Sequence, residues 1–212
     1  MASDELARMR REYENDGFTE TDAGDDPYAL FDRWFAEAQA AQVPEPNAMA
    51  LATSTPDGTP SVRILLLKHL DEHGAVFFTN YESRKGTELA TNARAAGVLL
   101  WHPMFRQVRI EGAVERISAE ESDQYFASRP EGARISANVS QQSRPVQDPD
   151  ALMKAWVEAE AVGAADRRPD SWGGFRMTIE SFEFWQGRPN RLHDRIVFQR
   201  TMGGWATHRL QP

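Results

Sequence analysis

The chain has 212 residues, enough for one domain with a sizeable core and helical additions. Hydrophobic residues make up 41% and cysteine is absent, which excludes a disordered chain, disulfides and cysteine metal sites. The net charge of −8 argues against a general nucleic-acid binder, so local basic clusters stand out and suit a small anion held in a pocket.

Residues 1–24 are polar and acidic after a short helical piece, and are expected to form a mobile N-terminal segment. The start MASDELARMRREYENDG has no apolar signal core, and no apolar run approaches the roughly 20 residues a membrane span needs. A cytoplasmic protein with no membrane or nucleic-acid partner is expected. Residues 25–212 are expected to form one domain. DDPYALFDRWFAEAQAA reads as a helix. Asp26 caps it, Pro27 suits its first position, and Leu30, Phe31, Trp34, Phe35 and Ala38 form one apolar stripe.

From Ala48 the period changes to two. AMALATST and SVRILLLKHL read as strands joined by the turn TPDGTP, and AVFFTN as a third after the turn LDEHG. ESRKGTELATN reads as a short helix, AAGVLLWH as a strand and RQVRIEGAVERI as a long alternating strand. Ser118 and Glu121 have the spacing of a capping box for a helix through Tyr125 and Phe126. A short helical piece, the polar loop QQSRPVQDP and the helix ALMKAWVEAEAVG follow. GGFRMTIESFEFWQG, RLHDRIVFQR and GWATHRLQP close the chain as strands. Consecutive strands with hairpin-length turns, and helices between groups of them, predict an α+β fold: an antiparallel barrel with helices outside. There is no βαβ alternation and no GxGxxG, which argues against a Rossmann domain.

Five constellations carry candidate chemistry. In RILLLK, a regular strand turns Arg63 and Lys68 to opposite faces, so both serve one ligand only at a strand edge or across a bulge. The same residues also read as a buried strand with charged ends. In FFTNYESRKG, Ser83, Arg84 and Lys85 open a helix, where cations oppose the dipole unless an anion joins them. Gln107, Arg109 and Glu111 share a strand face, and a glutamine can both donate to and accept from a heterocycle edge. Tyr125 and Arg129 are four apart on a helix, and either converge on a phosphate or stack at the surface. In WQGRPNRLHDR, an extended backbone puts Arg191, His193 and Arg195 on one face. Three cation-capable groups there repel unless a carboxylate or an anionic ligand sits among them, and His193 between two arginines should stay neutral near pH 7. His69 and His73 lie around a turn and no metal site is expected. No Ser–His–Asp or HExxH signature is present.

Taken together, RREY (10–13), RILLLK (63–68), FFTN with SRK (77–85), RQV (106–108), YFASRP (125–130), QQS (141–143), SWGGFR (171–176) and FWQG with RLHDR (184–195) resemble the pyridoxine/pyridoxamine 5′-phosphate oxidase family, in the family's order. The resemblance implies a split β-barrel of FMN-binding type, a homodimer, and FMN at the dimer interface. It implies cofactor contacts at Arg63, Ile64, Lys68, Phe78, Thr79, Arg84, Lys85, Gln107, Gln142, Ser143, Trp185 and Arg195. It implies a small phosphorylated pyridine held by Lys68, Tyr125 and Arg129, with Arg191 and His193 at its ring and Arg10 to Tyr13 as a lid. Arg191, His193 and Arg195 are the implied catalytic residues. The implied reaction oxidises the 4′ carbon of pyridoxine or pyridoxamine 5′-phosphate, with dioxygen as acceptor and hydrogen peroxide as product. One position departs from the pattern: Ala133 stands where the family offers a serine to the substrate phosphate, leaving Ser136 or a water to replace it. Another flavin- or deazaflavin-dependent oxidoreductase of the same barrel, or a non-catalytic flavin-binding module, would share the flavin contacts but would not need Tyr125, Arg129, Arg191 and His193 together.

Overall fold

The computed structural model describes Met9, Glu12, Tyr13, Asn15 and residues 17–212. In chain order its elements are α1 (Glu20–Ala23), α2 (Pro27–Ala40), β1 (Ala48–Ser54), β2 (Pro60–Asp71), β3 (Gly74–Asn80), α3 (Arg84–Thr91), β4 (Arg94–Trp101), β5 (Arg106–Arg116), α4 (Ala119–Ser128), α5 (Glu131–Val139), α6 (Pro149–Ala161), β6 (Trp172–Gln186), β7 (Asp194–Thr201) and β8 (Gly204–Leu210). The strands follow the order β3-β2-β1-β4-β5-β6-β7-β8, and β3 also pairs with β6, so six strands close into an antiparallel barrel with two added at one edge. This bears out the expected split barrel with helices around it.

The described chain forms two compact units. The barrel unit comprises Asn47–Gly97 and Glu111–Glu180. There β1 pairs with β2 from Ala48↔Leu66 to Ser54↔Pro60, which points Met49 and Leu51 inward, where both are fully buried. Phe77 and Met177 join them from β3 and β6. Burying one such side chain stabilises by about 1.5–3 kcal/mol. The pairing of β2 with β3 shifts register between Leu67 and His69, so a bulge falls at Lys68. Gly112 is required by close approach: a Cβ there would lie 1.9 Å from the Thr178 carbonyl oxygen.

The second unit comprises the described residues up to Pro46, Val98–Ile110 and Ser181–Pro212. Asp26 caps α2 through the Tyr28 N–H and Pro27 takes the first turn. Leu30, Phe31, Trp34 and Ala38 are buried as the stripe requires, and Phe35 is half-buried. Trp34 meets Phe184 edge-on at 5.3 Å, and Phe182, Phe184 and Phe198 fill the space beneath.

Two local expectations are corrected. The Ser118 hydroxyl does accept from the Glu121 N–H, but the Glu121 carboxylate accepts from Arg176 at 2.7 Å instead of closing the box. The segment 191–195 is not one extended run. Arg191 ends a 3-10 turn that starts at Pro189, with positive φ at Asn190 and Arg191, and only Asp194 and Arg195 lie in a strand. Arg191, His193 and Arg195 therefore share no strand face.

Candidate active site

In the barrel unit, a hollow of about 500 Å³ opens over β2, β3 and α4. Lys68 reaches it from the bulge, together with Ile64, Leu65 and Leu66. Phe78 and Thr79 enter from the end of β3, and Lys85 from the first turn of α3. Lys85 is buried and donates to Thr79 Oγ1 at 3.0 Å and to Gln142 Oε1 at 2.8 Å. Burial, with Arg63 nearby, pushes its ammonium down to about 8 against the partial help of Glu88. A lysine so desolvated gains from an anion placed beside it.

The opposite wall is aromatic. Tyr125 stacks on Phe78 with centroids 3.8 Å apart, and Trp172 lies parallel to both. The Arg129 guanidinium sits 4.5 Å over the Trp172 ring. Its Nη1 is buried and has no protein partner. Burial pushes Arg129 down, and Tyr125 offsets this in part. Three cationic residues, Lys68, Lys85 and Arg129, thus line one hollow, and such a set suits an anion.

Arg63 does not line this hollow. Its guanidinium donates to Thr53 Oγ1 at 2.6 Å and to the Leu51 carbonyl, and it lies 3.5 Å from Glu88. Glu88 is buried, and it also accepts from Ser61 and Thr53 at 2.5 Å and from Arg84 at 2.9 Å. Burial raises the Glu88 carboxyl, but these donors and Arg63 outweigh it and hold it at about 2. Arg63 and Arg84 thus pair with one buried carboxylate, while Lys85 faces the hollow.

The second unit holds a smaller hollow of about 240 Å³, lined by Val98, Gln107, Arg109, Glu183, Trp185, Arg195 and Pro212. Trp185 and Arg195 are cross-strand partners. Glu183 is buried and accepts from Arg195 Nε at 2.7 Å and Arg109 Nη2 at 2.5 Å. In the same unit Tyr13 stacks on Phe105 at 4.3 Å and lies 5.8 Å from the His193 ring, which is 4.6 Å from Trp185. The Arg188 N–H donates to His193 Nδ1 at 3.0 Å, so in the neutral ring Nε2 carries the hydrogen. Burial first, then Arg191, pushes His193 down, while Asp194 opposes. That direction agrees with the expected neutral imidazole.

The structure therefore brings Ile64, Lys68, Phe78, Thr79, Lys85, Tyr125, Arg129 and Gln142 together in one hollow, and Gln107, Trp185 and Arg195 in another. Arg63 and Arg84 meet at Glu88 instead. Ser143 adjoins Gln142 with φ +74 but does not line the hollow, and Arg191 is exposed. Arg10 lies outside the described residues. Ser136 does not replace the missing serine. Its hydroxyl donates to the Gly132 carbonyl and accepts from Trp156 Nε1, away from the hollow, whereas Ser128 lines it. Glu88 and Glu183 lie outside the motifs, and Ser128 and Trp172 lie inside YFASRP and SWGGFR without an assigned role. The acidic partners carry no local signal, because only the fold brings them to the arginines.

Comparison with solved structures fixes the class. The crystal structure of PhzG from Burkholderia lata 383, in complex with tetrahydrophenazine-1-carboxylic acid, superposes with a TM-score of 0.87 at 35% identity, covering 93% of this chain and 98% of that one. A pyridoxamine 5′-phosphate oxidase-related, FMN-binding protein from Nostoc punctiforme PCC 73102 shares the fold, with a TM-score of 0.69 at 16% identity, covering 88% and 98%. The molecule is a split-barrel protein of the FMN-binding type.

The model of the pyridoxamine 5′-phosphate oxidase family matches residues 35–165, and that of the pyridoxine 5′-phosphate oxidase C-terminal dimerisation region matches residues 172–212. The chain is 53% identical over 212 residues to a pyridoxine/pyridoxamine 5′-phosphate oxidase of Burkholderia cenocepacia (strain HI2424), covering 98% of this chain and 99% of the relative. It is 52% identical over 210 residues to one from Cupriavidus necator, with the same coverage. The chain belongs to the pyridoxamine 5′-phosphate oxidase family.

Proposed function

We propose that the protein is an FMN-dependent oxidase that converts pyridoxamine or pyridoxine 5′-phosphate to pyridoxal 5′-phosphate, in the cytoplasm. The observation that carries this is the buried, unpartnered Arg129 Nη1 in a hollow shared with Lys68, Lys85 and Tyr125. A buried donor without a protein partner, on a residue that shares a hollow with two lysines, suits an anionic ligand. The residues also fit FMN. Ile64, Lys68, Phe78, Thr79, Lys85 and Gln142 line the hollow and would take its phosphate end, with Arg63 and Arg84 held behind them on Glu88, and Gln107, Trp185 and Arg195 would take its ring end. The site would form where two copies of the chain meet, a reading supported by the match to a dimerisation region.

When bound, FMN would supply the redox chemistry of the reaction, two-electron oxidation of the substrate and reoxidation by dioxygen. The protein supplies position and field. Lys68, Tyr125 and Arg129 anchor the substrate phosphate, and that remote binding energy orients the ring. Arg191 stacks its planar guanidinium on the pyridine. His193 has Nδ1 occupied by the Arg188 N–H, so it donates from Nε2 to a ring substituent. That arrangement makes it an orienting donor. Arg195, held by Glu183 in the second hollow, would place a fixed positive charge beside the flavin ring. Tyr13 covers His193 and Trp185 as part of a lid.

The test is an absorbance spectrum of the purified protein. A flavin spectrum bleached anaerobically by pyridoxamine 5′-phosphate is expected, with peroxide on admitting air. A second reading comes from the PhzG likeness and is oxidation of a partly reduced aromatic carboxylic acid. Bleaching by tetrahydrophenazine-1-carboxylic acid, with none by the phosphorylated pyridine, would favour it and sink the first.

A further inference from the structure

We propose that Glu183 sets how readily the flavin is reduced, by fixing Arg195 beside it and cancelling part of the local positive charge. This rests on the FMN reading above and names a residue that the motifs do not assign.

Glu183 lies near the C-terminal end of β6, in register with Val197, and is 6% exposed. Both carboxylate oxygens are used: Oε1 accepts from Arg195 Nε at 2.7 Å, and Oε2 from Arg109 Nη2 at 2.5 Å. Arg195 Nη1 donates to the Gln211 carbonyl at 3.1 Å. The guanidinium is thus held by two acceptors on different strands or termini, with its Trp185 neighbour across the ladder. The bond from Glu183 comes first in raising the Arg195 pKa, so the cation is firmly charged. The one buried carboxylate offsets part of the positive charge of the two guanidiniums that meet it. A buried ion pair is weak evidence for stability, because apolar residues fill such space as well. Its field in a low-dielectric hollow is another matter, since a charge there acts strongly on a neighbour whose own charge changes. Reduction makes the flavin ring more negative, so each positive charge retained near it favours the reduced form, and Glu183 moderates that preference.

The experiment is an anaerobic reductive titration of the FMN-loaded protein against a reference dye. In Glu183→Gln the preference for reduced over oxidised FMN is expected to rise about tenfold, an upward shift of about 30 mV for a two-electron couple. Glu183→Asp, which keeps the charge, is expected to stay near the wild type. An unchanged or lowered potential in a Glu183→Gln protein that still holds FMN overturns the proposal and leaves the cofactor reading intact. If Glu183→Gln does not fold, Arg109→Gln carries the test with opposite sign: the potential is expected to fall, and no shift overturns the proposal. A wild-type protein that takes up no FMN instead removes the cofactor reading on which this one rests.

Discussion

Lys85 and Arg191 are both cations assigned to one site, yet their surroundings differ. Lys85 is buried and tied to Thr79 and Gln142, whereas Arg191 is exposed on a turn. Lys85→Met is therefore expected to weaken FMN binding at least tenfold while sparing kcat of the loaded enzyme. Arg191→Ala should do the reverse. Fluorescence titration of FMN and steady-state peroxide release check the pair, and an Arg191→Ala protein that loses FMN but turns over normally once loaded would refute the assignment. Lys85 also fixes a pH dependence. With its ammonium at about 8 in the free protein, it is charged below that value and neutral above. FMN affinity is expected to fall as pH rises from 7 to 9 and to stay flat in Lys85→Arg, whose guanidinium does not titrate there. Equal wild-type affinity at both ends of the range would count against Lys85 as a phosphate ligand.

At the level of elements, the helix and strand starts follow local chemistry. Asp26 caps α2, and its removal as Asp26→Ala should lower stability by about 1 kcal/mol with no change in FMN affinity, measured by urea unfolding. A loss below a few tenths would show that tertiary packing of Trp34 and Phe31 alone holds that helix end. The bulge at Lys68 was one of two conditions under which Arg63 and Lys68 serve one ligand, and the bulge is present. Arg63 nonetheless turns to Glu88, because Ser61, Thr53 and a buried carboxylate outbid an open hollow for its donors. The alternation of Arg191, His193 and Arg195 predicts an extended run, but Pro189 and the left-handed backbone at Asn190 and Arg191 break it. Period two is a sound signal only where a ladder partner exists to hold the strand, and β8 begins pairing at Arg195.

For the whole molecule, the prediction concerns assembly. Val62 and Ile64, two apart on one face of β2, are 69% and 67% exposed, and adjacent bare apolar side chains on a strand suit an interface. The protein is expected to sediment as a dimer, and Val62→Glu to weaken both the dimer and FMN retention together. A Val62→Glu protein that remains dimeric, with full FMN, would place the interface elsewhere. Loss of flavin without loss of the dimer would mean that one copy alone does not owe its site to the other.

Most element types, the α2 cap, the antiparallel barrel class and most of the cations that line the two hollows were legible in the residue order, the start of RLHDRIVFQR being an exception. These are local properties: period, capping chemistry and the company a residue keeps within ten positions. The closure of β3 onto β6, the gathering of Arg63 and Arg84 at Glu88, and the clamp of Glu183 on Arg109 and Arg195 were decided only by the tertiary structure. Each joins residues from different elements, and which carboxylate meets which guanidinium depends on strand register and burial, neither of which is written in the spacing of a motif.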